Sequence, residues 1–298
     1  MTQRILAATD LSAPSRHAVD RAYRLAAERN WPLTLLHAIP AGLFDSIQAL
    51  LSMDSPSLDQ SLEMDALSHM QALNGDPRHT HGVEAECTVI HGQPIDAIAA
   101  HAEQHDTALL VLGARGEGFL RQLTLGSTAS RLVRKTRRPV LVVKQPPHEC
   151  YRRVLVAVDF SPASLLAPRQ LHQLAPGATL ALLHAVEIPF EGKMQYANVD
   201  PAIIQRYRID AQLEGMRKLR ELAQTAALHD TSTQLLALHG NAARLIIEQE
   251  QEQDCDLIVV GKHGTHLVEE LLLGSTTKHV LMEAQGDVLV VGRGQDVA

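Results

Sequence analysis

Two closely similar segments, RILAATDLSAPS at residues 4–15 and RVLVAVDFSPAS at residues 153–164, decide how this sequence is interpreted. They lie 149 positions apart in a chain of 298 residues. Other matching pairs follow in the same order, at 35–39 and 182–186, at 109–116 and 257–264, and at 123–128 and 271–276. Repeats that keep their order and spacing over a whole chain indicate a duplicated domain.

The repeat predicts two domains, one at residues 1–145 and a second at residues 151–298. Pro146 and Pro147 lie between them and suit a short, stiff connector. Each half has about the length of an ordinary single domain, which is enough to bury its own hydrophobic core.

Short apolar runs alternate with segments of helical periodicity in both halves. The predicted strands are 5–8, 33–39, 83–90, 108–112 and 140–143, then 154–158, 179–186, 234–238, 257–260 and 288–291. Helices predicted between them in the first half are 15–29, 58–73, 94–105 and 128–136. Strands separated by helices imply parallel pairing with crossover connections. The sequence therefore predicts an α/β protein with two doubly wound, Rossmann-like parallel-sheet domains in tandem.

Composition excludes several classes of protein. Lys and Arg number 27 against 34 Asp and Glu, so the net charge of −7 argues against nucleic-acid binding. No apolar run approaches the roughly 20 residues that span a bilayer, so no membrane segment is expected. Three cysteines without close pairing are typical of reduced thiols. We therefore expect a cytoplasmic protein.

The polar residues of each half concentrate where predicted strands end. Asp10 and Asp159 follow the first strand of each half, and a Gly-x2-Gly-x9-Gly-Ser pattern follows the fourth. Ligands of doubly wound sheets bind at the carboxyl ends of the strands. A glycine at a helix start lets backbone N–H groups approach an anion closely, which favours phosphate. The alternative for Gly126-Ser127-Thr128 is a plain helix N-cap, but the duplicated spacing favours a site.

The Asp-x-Ser turn, the His-Gly pairs at 91–92 and 239–240 and the two glycine patterns together resemble the universal stress protein family. The resemblance covers essentially the whole chain, twice over. It implies a five-stranded parallel sheet of order 3-2-1-4-5 in each half. It also implies that the ligand is ATP, or AMP or ADP, accompanied by Mg²⁺. Fifth strands of such domains often pair, which would join 140–143 to 288–291 in an intramolecular pseudo-dimer; a further homodimer stays open.

The resemblance also implies a role for individual residues. Asp10 would contact the ribose, and Ala38 would hold the adenine through its backbone. Gly113, Arg115 and Gly116 would line the ribose and phosphates, and Gly126, Ser127 and Thr128 would cradle the phosphates. The matching set in the second half is Asp159, Ala185, Gly261, His263, Gly264, Gly274, Ser275 and Thr276.

Two departures distinguish the halves. Asp287 stands where the first half has Pro139, which puts the turn before the last strand in question. Arg115 is matched by His263, and only the arginine is permanently charged, so the two sites are predicted to differ in affinity or phosphate preference.

Sixteen histidines invite metal hypotheses, but no ligand pattern supports one. His37 and His184 recur at the end of the second strand, and His91 and His239 at the end of the third, so each pair predicts a shared structural hydrogen bond. His101 and His105 are interpreted as surface residues. The amphipathic stretch 43–51 is interpreted as core packing or a lid.

Three functions remain open. The leading one is an adenine-nucleotide-binding stress-response protein that acts as a nucleotide-dependent sensor or switch. The second is a slow ATPase or phosphotransferase, which lacks a visible base and a lysine after the glycines. The third is a nucleotide-free scaffold for protein partners.

Overall fold

The computed structural model of the chain describes residues 3–40, 42, 57–116, 125–226, 228, 233–263 and 272–292. The chain divides into two compact units, Met1–Cys150 and Tyr151–Ala298. Each unit consists of a parallel sheet with helices between successive strands. The prediction of two α/β domains in tandem is confirmed.

The first unit contains five parallel strands in the order β3-β2-β1-β4-β5. The strands are β1 Ile5–Ala8, β2 Leu33–Ile39, β3 Glu86–His91, β4 Leu109–Gly113 and β5 Val140–Val143. The helices are α1 Ala13–Arg29, α2 Ser57–Asn74, α3 Pro77–Thr80, α4 Pro94–Gln104 and α5 Ser127–Lys135. Strand order reverses between β1 and β4, which makes their carboxyl ends the switch point of the sheet.

The second unit repeats this order as β8-β7-β6-β9-β10, again with parallel pairs. Its strands are β6 Arg153–Ala157, β7 Thr179–Val186, β8 Thr233–His239, β9 Leu257–Gly261 and β10 Asp287–Val291. Its helices are α6 Pro162–Leu174, α7 Glu191–Tyr196, α8 Pro201–Thr225, α9 Ala242–Glu252 and α10 Ser275–Glu283. Both sheets therefore have the predicted order, with the switch point between β6 and β9 in the second.

The core is aliphatic, as the low aromatic content requires. The central strands β1 and β4 bury nearly every side chain, because helices cover both faces of a parallel sheet. Tyr23 of α1 is fully buried, and its hydroxyl donates a 2.9 Å hydrogen bond to the side chain of Asn74. Within the described ranges, no helix combines the length and the hydropathy needed to cross a bilayer.

Two local predictions need correction or completion. Strand β3 begins at Glu86 rather than Val83, because the Val83 N–H donates to the Thr80 carbonyl and closes the short helix α3.

Asp287 does not disturb the last strand: it is buried as the first residue of β10, and Tyr151 donates a 2.6 Å hydrogen bond to its carboxylate. The amphipathic stretch 43–51 lies outside the described residues.

Candidate functional site

A tight turn fixes the acidic residue at the end of the first strand of each domain. Oδ1 of Asp10 accepts hydrogen bonds from the N–H of Ser12 at 3.1 Å and from its hydroxyl at 2.5 Å. Asp159 accepts from the N–H of Ser161 at 3.0 Å in the same way. The residue between the aspartate and the serine, Leu11 in the first domain and Phe160 in the second, has a φ near +60°. This value is uncommon for a residue with a side chain. Such strained turns cluster at functional sites.

The loop after β4 lies directly against this turn. A Cβ added to Gly116 would overlap the Asp10 carboxylate, and one added to Gly113 would lie 3.0 Å from the Arg115 carbonyl oxygen and 3.3 Å from the Ser15 Cα. Only glycine permits backbone to approach this closely. The ends of β1 and β4, neighbours in the sheet, therefore meet at the predicted site residues Asp10, Gly113 and Gly116.

Helices α5 and α10 begin at this same corner. The N–H of Gly126 donates to the Ala114 carbonyl at 2.8 Å, and Gly274 donates to the Lys262 carbonyl at 3.1 Å. A Cβ on Gly126 would lie 3.2 Å from the Ala114 oxygen, so glycine keeps the helix start close to the strand end.

The first turns of α5 and α10 have no side-chain cap among the residues that the structure describes. By contrast, Ser12 caps α1 and Ser161 caps α6. Ser127 and Thr128 are exposed at the start of α5, as is Ser275 at the start of α10. An open helix start combines unsatisfied N–H groups with the positive end of the helix dipole, so it attracts anions.

The second strand of each domain contributes the histidine predicted to be structural. Nδ1 of His37 lies 2.9 Å from the Thr9 carbonyl oxygen, and Nδ1 of His184 lies 2.8 Å from the Val158 carbonyl oxygen. The predicted shared hydrogen bond is confirmed. It ties the end of the second strand to the end of the first and holds the half-buried Ala38 and Ala185 beside the Asp turns.

The histidine that ends the third strand meets a carboxylate in both domains. Nε2 of His239 lies 2.7 Å from Oε2 of Glu191, and Nε2 of His91 lies 3.4 Å from Oε2 of Glu63. Arg208 also donates to Glu191. The Arg208 hydrogen bond, and after it the one from His239, lowers the pKa of Glu191 below its ordinary value. Sequence reasoning identified the histidines but missed both glutamates, because their partners lie far away in the sequence.

Helix α8 packs closely against this edge of the second domain. A Cβ on Gly215 would lie 3.0 Å from the His184 ring, so the helix backbone nearly touches β7. The Phe160 ring centroid lies 4.5 Å from that of His184, and the Lys218 ammonium lies 5.6 Å from the Phe160 ring. Lys218 is a cation near the Asp159 turn that sequence reasoning did not identify.

The other predicted site residues that the structure describes lie at the carboxyl edges of the same two sheets. Arg115 is exposed and its counterpart His263 is half-buried, while Gly261 ends β9 and Thr276 stands in the first turn of α10. Gly264 lies outside the described residues, as do 117–124 and 265–271. The rings of His101, which is half-buried on α4, and His105, which is exposed directly after it, stack with centroids 4.0 Å apart. The prediction of a surface position is therefore confirmed for His105 but not for His101.

The described residues contain no group of three or more His, Cys, Asp or Glu side chains arranged to hold a metal ion. Asp10 and Asp159 supply one carboxylate at each edge. One carboxylate fits Mg²⁺, which keeps several waters and binds mainly to substrate phosphates rather than to an all-protein cage.

Comparison with known proteins agrees with this architecture. The model of the universal stress protein family matches residues 1–144 and 150–292. A universal stress protein of Mycobacterium bovis is 30% identical over 215 residues, which are 70% of this chain and 66% of that relative. One from Mycolicibacterium smegmatis is 27% identical over 303 residues, with 96% of each chain covered.

The solved structure of a universal stress protein from Archaeoglobus fulgidus has the same fold, with a TM-score of 0.68 and 19% identity over 99% of this chain and 100% of that one. Family model, relatives and fold agree over both domains. The chain therefore belongs to the universal stress protein family, as two such domains in tandem.

Proposed function

We propose that each domain binds an adenine nucleotide, foremost ATP, at the carboxyl edge of its sheet, and that the protein acts as a nucleotide-dependent sensor or switch in the stress response. The observation that carries the proposal is the corner where the Asp10 carboxylate lies against Gly116. There, two neighbouring strand ends meet beside an uncapped helix start.

The chemistry of this corner suits both halves of a nucleotide. A fixed carboxylate accepts hydrogen bonds from ribose hydroxyls, as acidic residues do in other doubly wound nucleotide sites. The N–H groups and hydroxyls at Ser127 and Thr128 are suited to phosphate oxygens. The second domain repeats the arrangement with Asp159, Ser275 and Thr276.

Mg²⁺ would accompany the phosphates and neutralise part of their charge. Asp10 and Asp159 would hold it together with phosphate oxygens and water. The protein's own residues would position the nucleotide, and closure of nearby segments around it would change the surface offered to partners. The free thiols of Cys87, Cys150 and Cys255 suit the cytoplasm, where we place this function.

A pair of variants at the helix starts tests the proposal. Ser127→Glu and Ser275→Glu place a carboxylate in the first turn of α5 or α10, where it favours the helix but repels a phosphate. We expect native mass spectrometry with millimolar ATP and Mg²⁺ to show two nucleotides on the wild-type chain, one on either variant and none on the double variant.

Ser127→Ala and Ser275→Ala are the matched controls, because they keep the backbone N–H groups and add no charge. They should retain both nucleotides with affinity changed by less than ~tenfold, the loss of about one hydrogen bond. Unchanged binding by the double Glu variant would refute the proposed position of the phosphates. An empty wild-type chain would refute nucleotide binding itself and favour the scaffold. Phosphate release that disappears in the Glu variants would instead identify a slow ATPase.

A further inference from the structure

Helix α8 exposes an apolar surface on the side opposite the sheet. Its inner side buries Ile204, Gly215, Leu219 and Leu222. The outer side exposes Ile203 (56%), Tyr207 (61%), Ile209 (47%) and Leu213 (63%). Clustered exposed apolar side chains of this size mark interaction sites more often than ordinary surface.

The same side of the helix contains one cation and one anion inside the apolar cluster. Ile203, Arg206, Asp210 and Leu213 follow one another at intervals of three, four and three residues, the spacing of a helix–helix seam. All four are exposed. Arg206 and Asp210 make no hydrogen bond or ion pair with any residue that the structure describes. We call residues 203–213 of this side the α8 seam.

The α8 seam is complementary to itself. In an antiparallel pair of α8 helices with a two-fold axis level with residue 208, Ile203 lies opposite Leu213 of the partner subunit. In that register Arg206 lies opposite Asp210 of the partner subunit, and Tyr207 and Ile209, which are two positions apart on the helix, flank the seam on its two sides. Each contact occurs twice, as the isologous interface of a symmetric dimer requires.

We propose that the α8 seam is a homodimer interface, in which two copies of the chain pair antiparallel through residues 203–213. The apolar side chains supply the affinity, and the Arg206–Asp210 pairs fix register and direction, the role of charged residues within helix seams. The seam spans ten residue steps, or about 15 Å, so the dimer forms at micromolar rather than nanomolar concentration. The proposal is independent of nucleotide binding.

Charge reversal provides a decisive test. Arg206→Asp alone places acid opposite acid, and Asp210→Arg alone places base opposite base. Sedimentation equilibrium measures the average molecular mass of the wild-type chain. Between about 1 and 200 µM, we expect this mass to rise from that of one 32.5 kDa chain towards that of two. Either single variant should weaken the dimer ~tenfold or more, since repulsion replaces attraction at both symmetric contacts.

Mixing the two single variants should restore dimerisation, because the heterodimer again places opposite charges at both contacts. The double variant R206D/D210R should dimerise by itself for the same reason. Both results also show that the altered chains still fold. Met64→Glu, at a similarly exposed apolar residue of α2, is the matched control and should leave the dimer unchanged.

Three outcomes would overturn the proposal. If the wild-type chain stays monomeric over the whole concentration range, the α8 seam binds a different partner or none. A dimer that is insensitive to both charge reversals uses a different interface. If the single variants lose the dimer and mixing them does not restore it, the helices pair in a register other than the one proposed.

Discussion

Oε1 of Glu250 lies 2.7 Å from the backbone nitrogen of Gly286, and it accepts the neighbouring N–H of Gln285 at 2.9 Å as well. Glu250 is buried in α9, so it holds the turn that leads into β10. The first domain achieves the same with Glu103, which accepts the Arg137 N–H at 3.1 Å. In the repeat Glu103 aligns with Gln251, the neighbour of Glu250. The two domains therefore hold this turn with carboxylates at adjacent, not identical, helix positions.

Replacing this carboxylate should destabilise the second domain. Glu250→Ala removes the acceptor of the partly buried N–H groups of Gln285 and Gly286, at a cost of about 1–2 kcal/mol in the free energy of unfolding. Glu250→Gln keeps an oxygen in place and should cost less. Glu248→Ala removes a partly exposed carboxylate bonded to Arg244 and is the control, with an expected effect under about 0.5 kcal/mol. Urea denaturation of the three variants measures the difference; equal losses at 248 and 250 would contradict the assignment.

A second prediction concerns the contact between α8 and β7. Gly215→Ala adds a Cβ 3.0 Å from the His184 ring and 3.2 Å from the Val186 side chain. His184 cannot move aside freely because its Nδ1 bonds the Val158 carbonyl. The crowding, about 1–3 kcal/mol, should therefore exceed the helix-propensity gain of about 1 kcal/mol, and the variant should unfold at a lower temperature.

Gly192→Ala is the matched control for this substitution. Gly192 also lies in a helix, α7, but an added Cβ would meet nothing within 4 Å. It should gain up to about 1 kcal/mol from propensity alone. Calorimetry of both variants measures the change in unfolding temperature, which should fall for Gly215→Ala and rise for Gly192→Ala. A rise for both would show that the His184 side chain moves aside at little cost.

The three thiols should differ in reactivity. Burial, and after it the charge of Asp256, raises the pKa of Cys255 to about 11, so only ~0.1% is thiolate at pH 8. Burial also raises the pKa of the half-buried Cys87. The hydrogen bond with Glu28 raises the pKa of Cys150 too, but this thiol is exposed to the reagent. Iodoacetamide at pH 8 should modify Cys150 first and Cys255 last, as read by peptide mass spectrometry. Rapid modification of Cys255 in the folded protein would contradict its burial.

Acid should weaken the cluster formed by Glu191, Arg208 and His239. The pKa of Glu191 is lower in the folded chain than the ordinary 4.5, chiefly because Arg208 donates to it. Its ionised form therefore stabilises the fold above pH 4.5, and this contribution is lost as the pH falls below that value. The stability difference between the wild type and Glu191→Gln should shrink from pH 7 to pH 3.5. A difference that is constant with pH would exclude an ionised Glu191.

Local pattern and the internal repeat sufficed for much of the architecture. Strands β1, β2, β5 and β7 have the predicted bounds, because short, mainly apolar runs between turn or helical segments are typical of buried parallel strands. The strand order came from the family resemblance, and the structural histidines from their recurrence. The nucleotide-site residues came from the resemblance too, and their binding role stays a proposal.

Tertiary structure decided what depends on residues that are distant in sequence. Sequence analysis did not identify Glu63, Glu191 or Glu250, because each contacts a histidine or a backbone N–H more than 25 positions away and no spacing rule connects them. The exposed side of α8 is a further example of a feature that the sequence did not predict. Apolar residues occur on both sides of this helix, and only its packing against β7 and β8 shows which side is buried. Sequence by itself determined the elements and their repetition, because these follow from short-range periodicity. Only the fold determined which side chains meet, because the free energy of those contacts arises when distant segments are brought together.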